Sequence, residues 1–293
     1  MCGRTSAAKA FLTTAMVAYL VAAPFTAVAE DYFDAEFSVD HDSNISNASH
    51  RGDVVDDNIL IFGLSANRPQ ILTPRSGLLL TGRVEYDRYT LWEDLSHLSV
   101  DGKLAWRYQP GTAFNSIWYE AAAGAALLQH QDSALRDGGK VFVDLSLGSR
   151  LTDRLQVRTG YRYSLRRAWS NTVFDDDDHR LYASGDWQAA DRLLLYATVG
   201  WQTGDVVSTS RMDPAINALA SARGPDPALG TWNGMPRIAY RIDADSVTGE
   251  LGFNYAIRAD LALDVSARYL NTDGPSNLSY DGLRVLGGLL YRF

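Results

Sequence analysis

The chain has 293 residues, of which 27 are Lys or Arg and 35 are Asp or Glu, so its formal net charge is −8. A chain this acidic lacks the basic surface that nucleic-acid binding requires, and we exclude nucleic-acid partners. The mean hydropathy is near neutral at −0.17. Such a value also fits a membrane protein built from strands, because only half of the residues in a barrel strand face lipid.

The first segment has the pattern of a secretory signal peptide. Arg4 and Lys9 precede an apolar stretch over 10–23, and the small residues of 27–29 follow it. This apolar core is short and ends at a cleavage site, so it favours a removable leader over a membrane-spanning helix. We predict a signal peptide over 1–29 and an outer-membrane β-barrel over 30–293. Cys2 is the single cysteine, so we expect no disulfide after cleavage and a net charge of −10.

Alternating apolar and polar residues then predict twelve strands, separated by turn-forming residues. These strands lie at 31–40, 57–66, 77–89, 95–108, 117–128, 140–151, 154–166, 179–188, 192–203, 240–256, 260–271 and 282–293. The connections alternate between short turns and long polar loops, as in barrels with periplasmic turns and external loops. Two of them fit this alternation less well, because 67–76 is long for a periplasmic turn and 90–94 is short for an outer loop. The predicted fold class is all-β, a transmembrane up-and-down antiparallel β-barrel of about 12 strands.

The longest predicted connection is 204–239. Its prolines and glycines favour irregular structure over regular structure. Two roles stay open for it, a constriction of the lumen and a mobile external loop.

Aromatic residues on the lipid-facing positions fall into two groups, one at each end of the predicted strands. The periplasmic ends carry Trp106, Tyr108, Trp187, Tyr255, Tyr291 and Phe293, and the outer ends carry Tyr86, Tyr161, Tyr163, Trp201 and Tyr269. Amphipathic rings prefer the two membrane interfaces, so this arrangement supports a membrane-spanning barrel over a soluble sandwich. The closing Tyr291 and Phe293 also resemble the aromatic-rich last strand of outer-membrane barrels. That resemblance implies that they form the signal recognised by the barrel-assembly machinery.

Three short motifs carry a wider resemblance. The turn Asp42-Ser43-Asn44, the segment 160–163 and the closing segment 291–293 resemble proteobacterial outer-membrane barrels of the porin type. The chain is also distantly similar to the barrels of surface lipoprotein assembly modifiers and of exopolysaccharide export. Assembly modifiers usually carry a helical-repeat domain before the barrel, whereas here the first strand follows the leader almost directly.

The lumen-facing positions are rich in charge. We predict that the pore is lined by Arg150, Arg158, Arg162, Arg166, Arg180, Asp34, Glu36, Asp40 and Glu250. The arginines lie on middle strands, and the acids of the first strand face them across a closed barrel, so a transverse field would steer anionic or zwitterionic solutes. The alternative is a narrow interior in which paired charges only stabilise the wall.

The remaining polar clusters do not define a metal or catalytic site. All five histidines map to outer strand ends or outer loops, without the spacing of a metal motif. His179 beside Asp178 and the pair Glu93-Asp94 weakly resemble elements of omptin proteases, but the paired-aspartate motif is missing. Phospholipase-type barrels need a histidine on the outside wall, and we expect none there. We therefore predict no enzyme, no cofactor and no metal.

These observations predict a channel of the cell outer membrane in a Gram-negative bacterium, a porin-like barrel for small and preferably anionic solutes. The expected partners are outer-membrane lipids and lipopolysaccharide, the barrel-assembly machinery and small solutes. The alternative is a non-conducting structural or export and assembly barrel that acts through its loops and partners.

Overall fold

The computed structural model describes residues 30–293, and thirteen antiparallel strands in one sheet make up most of this part of the chain. The predicted signal peptide and Cys2 lie outside the described residues. The strands are β1 Tyr32–Asp42, β2 Asp57–Thr73, β3 Ser76–Tyr89, β4 His97–Tyr108, β5 Trp118–His130, β6 Gly138–Arg150, β7 Leu155–Ala168, β8 Asp176–Ala190, β9 Leu193–Ser210, β10 Ala222–Trp232, β11 Met235–Ala256, β12 Leu261–Asp273 and β13 Ser279–Arg292. One short helix, α1 Pro214–Leu219, precedes β10.

Twelve of the strands form a closed ring. Neighbours in sequence pair from β1 to β9 and from β11 to β13, β1 pairs with β13, and β9 pairs with β11. The strand β10 stands outside the ring because it pairs only with the outer half of β11. Closure leaves no open sheet edge at membrane level, which lipid demands. The predicted fold class and strand number are confirmed.

The two faces of the wall follow the period-two alternation of the sequence. Large apolar side chains point outward and stay exposed, for example Phe37, Leu64, Leu145 and Leu251, while Ser38 and Asp144 point inward and are buried. Aromatic side chains at both strand ends also point outward, among them Trp106, Trp187, Trp201 and Tyr269. The sheet therefore has a lipid-facing band with interfacial aromatics around a polar interior. Within residues 30–293, no helix is both long and apolar enough to cross a membrane.

The second strand is longer than the sequence suggests. Instead of a loop over 67–76, β2 continues to Thr73 and reaches β3 through the two-residue turn Pro74-Arg75. Pro69 is tolerated because β1 pairs with β2 only as far as Asn67, which leaves one edge of β2 without a partner. This connection is therefore a short periplasmic turn, as the topology requires.

The prediction of irregular structure over 204–239 is wrong. The strands β9 and β11 extend beyond their neighbours and pair as far as Ser210 and Ile238, and α1 and β10 fill most of the interval. Asn233 and Gly234, with φ of 52° and 77°, form the tight turn between β10 and β11. Pro225 and Pro227 are tolerated because β10 is an edge strand, where a missing N–H group costs little.

A charged lumen beneath an outer cap

The inward charges divide the ring into two halves of opposite net sign. The strands β11–β13 and β1–β3, the acidic half, point nine acidic and four basic side chains inward. The strands β4–β9, the basic half, point eight basic and six acidic side chains inward. Net charges of −5 and +2 thus face each other across the lumen.

In the basic half, two carboxylates link three arginines into a chain. Asp144 accepts hydrogen bonds from Arg162 Nε at 3.0 Å and from Arg158 Nη2 at 3.4 Å. Arg158 also donates to Glu120 Oε1 at 3.0 Å, and Arg107 donates to the other oxygen of Glu120 at 2.7 Å. Asp144 and Glu120 are buried, so their charges depend on these partners.

A tyrosine completes this network. The Tyr182 hydroxyl donates to Asp144 Oδ1 at 2.9 Å. Its ring passes over Gly160, where an added Cβ atom would lie 2.6 Å from the hydroxyl oxygen. Glycine is therefore required on β7 for the tyrosine of β8 to reach the carboxylate.

Other cations of the basic half have no acidic partner. Within residues 30–293, no carboxylate oxygen lies within 4.0 Å of the side-chain nitrogens of Arg180, Lys103 or Lys140. The closest polar contact of Arg180 is Thr248 Oγ1 at 3.4 Å. Arg166 donates to the backbone oxygen of Arg136 at 2.8 Å.

Only some of the predicted pore-lining arginines therefore lie close together. Arg158 and Arg162 share one carboxylate, and Arg180 lies on the neighbouring strand and pairs with Arg162 in the sheet register. Arg166 lies higher, below the outer connections. Arg150 lies apart at the periplasmic end of β6, with its guanidinium 5.9 Å from the Phe114 ring centre.

Of the predicted acids, Asp34, Glu36 and Asp40 lie on β1, opposite the arginines, whereas Glu250 lies on β11, two strands from Arg180. All four are paired. Asp34 contacts Arg292 at 2.8 Å, Glu36 contacts Arg83 at 2.8 Å, and Asp40 contacts Arg284. Glu250 contacts Arg268 at 2.6 Å. Each of these pairs joins residues of nearby strands rather than residues across the lumen.

The lumen is hollow around these pairs. Arg268 and Arg284 point inward from β12 and β13, yet their side chains remain 38% and 43% exposed to solvent. A fully packed interior would bury them. The barrel therefore encloses space for water beside its charged wall.

The segment 211–234, called the cap from here on, crosses the outer mouth. Its residues Ala228 and Leu229 are buried against Leu95 and Trp92 of the β3–β4 connection. That connection lies on the opposite side of the ring from β11, from which β10 extends. The cap therefore spans the opening.

Ion pairs with buried carboxylates attach the cap and its base to other outer connections. Asp226 on β10 is fully buried, pairs with Arg136 of the β5–β6 connection and accepts from the Thr209 hydroxyl at 2.9 Å. Asp53 of the β1–β2 connection is also buried and contacts Arg211 Nε at 2.9 Å. Loss of Arg136 would leave the buried Asp226 without a cationic partner, whereas Asp53 would keep Arg237 Nη1 at 3.7 Å.

Apolar clusters and a helix cap add to this attachment. Val173 and Phe174 of the β7–β8 connection pack on Ala239, and Ile216 of α1 packs on Tyr240. Asp213 caps α1, and the backbone N–H of Ala215, together with His50, holds the pKa of the Asp213 carboxyl below its usual range.

Another buried carboxylate shapes the mouth on the β3 side. Asp57 is fully buried and accepts hydrogen bonds from the backbone N–H groups of Thr90, Leu91 and Trp92, and from the Thr90 hydroxyl at 2.6 Å. These bonds hold the β3–β4 connection in the conformation against which the cap packs.

Comparison with known proteins places this barrel in a family. A family model described as outer membrane protein beta-barrel domain matches residues 111–293. The chain belongs to this family. It is therefore an outer-membrane protein, which confirms the predicted localisation and the resemblance to porin-type barrels.

A solved structure shows the same fold. The chain is similar to an outer-membrane channel from Pseudomonas putida F1, with 10% identity, a TM-score of 0.61 and coverage of 96% of this chain and 100% of that chain. It is also similar to the KdgM porin, with 10% identity, a TM-score of 0.44 and coverage of 89% and 99%. No curated protein sequence matches the chain.

The histidines of this outer-membrane barrel lie at its outer end, as expected, but two of them correct the prediction that none faces outward. His41 on β1 and His179 on β8 are at outward positions, because His41 pairs in register with Val285 and His179 contacts Tyr161 at 2.7 Å. Asp178, next to His179, points inward, so the wall separates the residues of the supposed omptin element. Across residues 30–293, no three His, Cys, Asp or Glu side chains converge closely enough to hold a metal ion.

Several residues of the site escaped sequence reasoning. Glu120 shares the inward alternation of Trp118 and Ala122, so its position could have been recognised from the pattern. Asp53, Asp57 and Asp226 carry no such pattern, because their partners lie far away in the sequence.

Proposed function

We propose that this protein is an outer-membrane channel for small polar solutes, with a preference for anions. One observation carries the preference: in five of the lumen pairs, the arginine is the member that meets water. Arg107, Arg162, Arg268, Arg284 and Arg292 are 23–43% exposed, whereas their acidic partners are 2–19% exposed. A solute in the lumen therefore meets guanidinium groups before carboxylates.

Cations without acidic partners strengthen this preference. Arg180, Lys103 and Lys140 add positive charge to the basic half without a neutralising contact within 4.0 Å in the described residues. Planar guanidinium groups bind carboxylates and phosphates through two hydrogen bonds, so they favour anionic groups over halide ions. The acidic half opposite would orient a solute that also carries a positive group.

The outer connections carry a net negative charge, opposite in sign to the lumen cations. The segments 43–56, 90–96, 131–137, 169–175, 211–234 and 274–278 contain nine acidic and four basic residues. We propose that these acids share divalent cations with the phosphates of lipopolysaccharide. They do not line the lumen, so they affect entry more than passage. Signal cleavage after residue 29 and delivery by the barrel-assembly machinery complete the proposal.

Planar-bilayer recording tests the proposal. The full-length barrel and a variant in which a short glycine linker replaces 212–233 are compared under a potassium chloride gradient. We expect low or intermittent conductance for the native barrel, steady conductance for the variant, and a reversal potential that shows chloride preference in both. A variant that folds but conducts no better than an empty bilayer contradicts the channel.

A non-conducting barrel that acts through its outer surface is the second candidate. The cap favours it, because two ion pairs with buried carboxylates and three apolar clusters attach the cap and its base. Absence of conductance from the cap-deleted barrel in the same recordings would support this role.

A further inference from the structure

Two buried histidines lie directly below the attachment of the cap. His97 is the first residue of β4 and His130 is the last residue of β5, and the two are opposite each other in the sheet register. Their rings stack with centres 4.8 Å apart and planes inclined by 21°. Both residues are less than 9% exposed.

The groups around this stack carry both signs of charge. From β3, Asp87 Oδ2 lies 3.8 Å from His97 Nε2, and the Tyr89 ring centre lies 6.3 Å from the His97 ring centre. From the β5–β6 connection, Asp137 Oδ1 lies 3.4 Å from His130 Nδ1. Arg136 of that connection and Arg166 of β7 also act on His130 through their positive charge.

Arg284 of β13 acts on the same region from the acidic half. Its positive charge reaches both Asp87 and Tyr89. The surroundings of the stack therefore contain two carboxylates and three guanidinium groups, the other two being those of Arg136 and Arg166.

This setting accommodates one proton better than two. The His97 Nδ1 atom lies 3.0 Å from the backbone oxygen of Leu95, so it carries hydrogen, and the opposite nitrogen faces Asp87. One charged ring stacked on a neutral ring is attracted to its π face. Two charged rings at this separation repel, with arginines close by and little water to screen them.

Each histidine is also linked to the cap through neighbouring residues. His97 holds the Leu95 backbone, and Leu95 packs on Ala228 and Leu229 of β10. The backbone N–H of His130 donates to Asp137, and the neighbouring Arg136 pairs with Asp226 of β10. Separation of the two rings would therefore disturb an apolar contact and an ionic contact of the cap together.

We propose that the cap is a proton-operated gate, in which double protonation of the His97–His130 stack releases β10 from the mouth. The inference rests on the proposed channel, whose lumen the cap closes at neutral pH. Acidification favours the state in which the rings have separated and each carries a proton in contact with water. In that state the cap loses its hold on the β3–β4 and β5–β6 connections.

A distance measurement tests the gate independently of conduction. Spin labels are placed on T231C and D132C, two exposed positions on the cap and on the β5–β6 connection, in a C2S background in lipid vesicles. Between about pH 7.5 and about pH 5, which spans the titration of a histidine ring exposed to water, we expect the fraction of long distances to rise by about threefold or more.

Matched variants assign the response to its source. H97Q and H130Q should each abolish the rise, and H97N or H130N replaces the corresponding variant if it fails the heat-modifiability assay for folding. H179Q, whose histidine faces outward on β8, should keep the full response. A response that survives H97Q and H130Q, or that H50Q removes through the His50–Asp213 contact, overturns the proposal.

Conductance recorded at the same pH values separates the two proposals. Labels that move with pH in a barrel that never conducts would support the moving cap and refute the channel. Conductance without any pH-dependent movement of the labels would support the channel and refute the gate.

Discussion

Substitution of three inward arginines separates charges that support the wall from charges that act on solutes. Replacing Arg158, Arg162 and Arg180 together by glutamine keeps hydrogen-bonding bulk and removes three positive charges. We expect both a loss of stability and a loss of anion preference. The structure assigns the two losses to different residues, and the single variants distinguish them.

The stability loss follows from the partners of Asp144. Without both Arg158 and Arg162, this buried carboxylate keeps only the Tyr182 hydroxyl as a side-chain donor. An uncompensated buried charge costs about 3–5 kcal/mol. R162Q alone leaves Arg158 in place and should cost about 1.5–3 kcal/mol, the range for a hydrogen bond to a charged group. R180Q breaks no ion pair and should cost less than about 1 kcal/mol.

Among the single variants, R180Q should lose more anion selectivity than R162Q, which reverses their order in stability loss. R180Q removes an unpaired positive charge, so its reversal potential should move toward zero, most clearly at about 0.01 M salt, where charges act over about 30 Å. Urea unfolding in detergent micelles measures the first effect, and bilayer recording measures the second. A large stability loss in R180Q, or unchanged selectivity in both R180Q and the triple variant, would refute this division.

Three further predictions concern topology, insertion and the mouth. An epitope tag after Ala220 should be labelled on intact cells, whereas a tag after Asp153 should need permeabilised cells, and surface labelling at Asp153 would invert the topology. Deletion of Phe293, whose N–H donates to the Phe33 oxygen at 2.9 Å, should lower the amount of heat-modifiable barrel in the membrane; normal insertion would disprove its role as an assembly signal. D57A removes the acceptor for the Trp92 N–H and its neighbours, so it should lower stability by about 2–4 kcal/mol in thermal unfolding. An unchanged melting temperature in D57A would show that water replaces the carboxylate.

The barrel itself was predictable because lipid and lumen impose opposite demands on alternate residues. The inward positions of Arg158, Asp34 and Glu250 follow directly from this alternation. Failures occur where pairing changes along a strand. Pro69 suggested a loop, but it lies beyond the end of β1, where β2 tolerates a residue without an N–H group.

The cap was not predictable in the same way. Its composition indicates turns, and its order comes from contacts between residues distant in sequence, such as Asp226 with Arg136 and Asp53 with Arg211. The sequence around a charged loop residue does not show whether another connection carries a residue of opposite charge that pairs with it. The sequence therefore leaves the lumen constriction open as one of two alternatives, and only three-dimensional pairing distinguishes them.

One edge of β10 has no partner strand, and this edge faces neighbouring molecules on a crowded cell surface. A free strand edge above the membrane could add the strand of a neighbouring barrel and begin a chain of linked molecules. Pro225 and Pro227 remove two hydrogen-bond donors from β10, and its register with β11 breaks between Asp226 and Thr231. The exposed edge is thus a poor template for strand exchange, and neighbouring copies can lie side by side without joining their sheets.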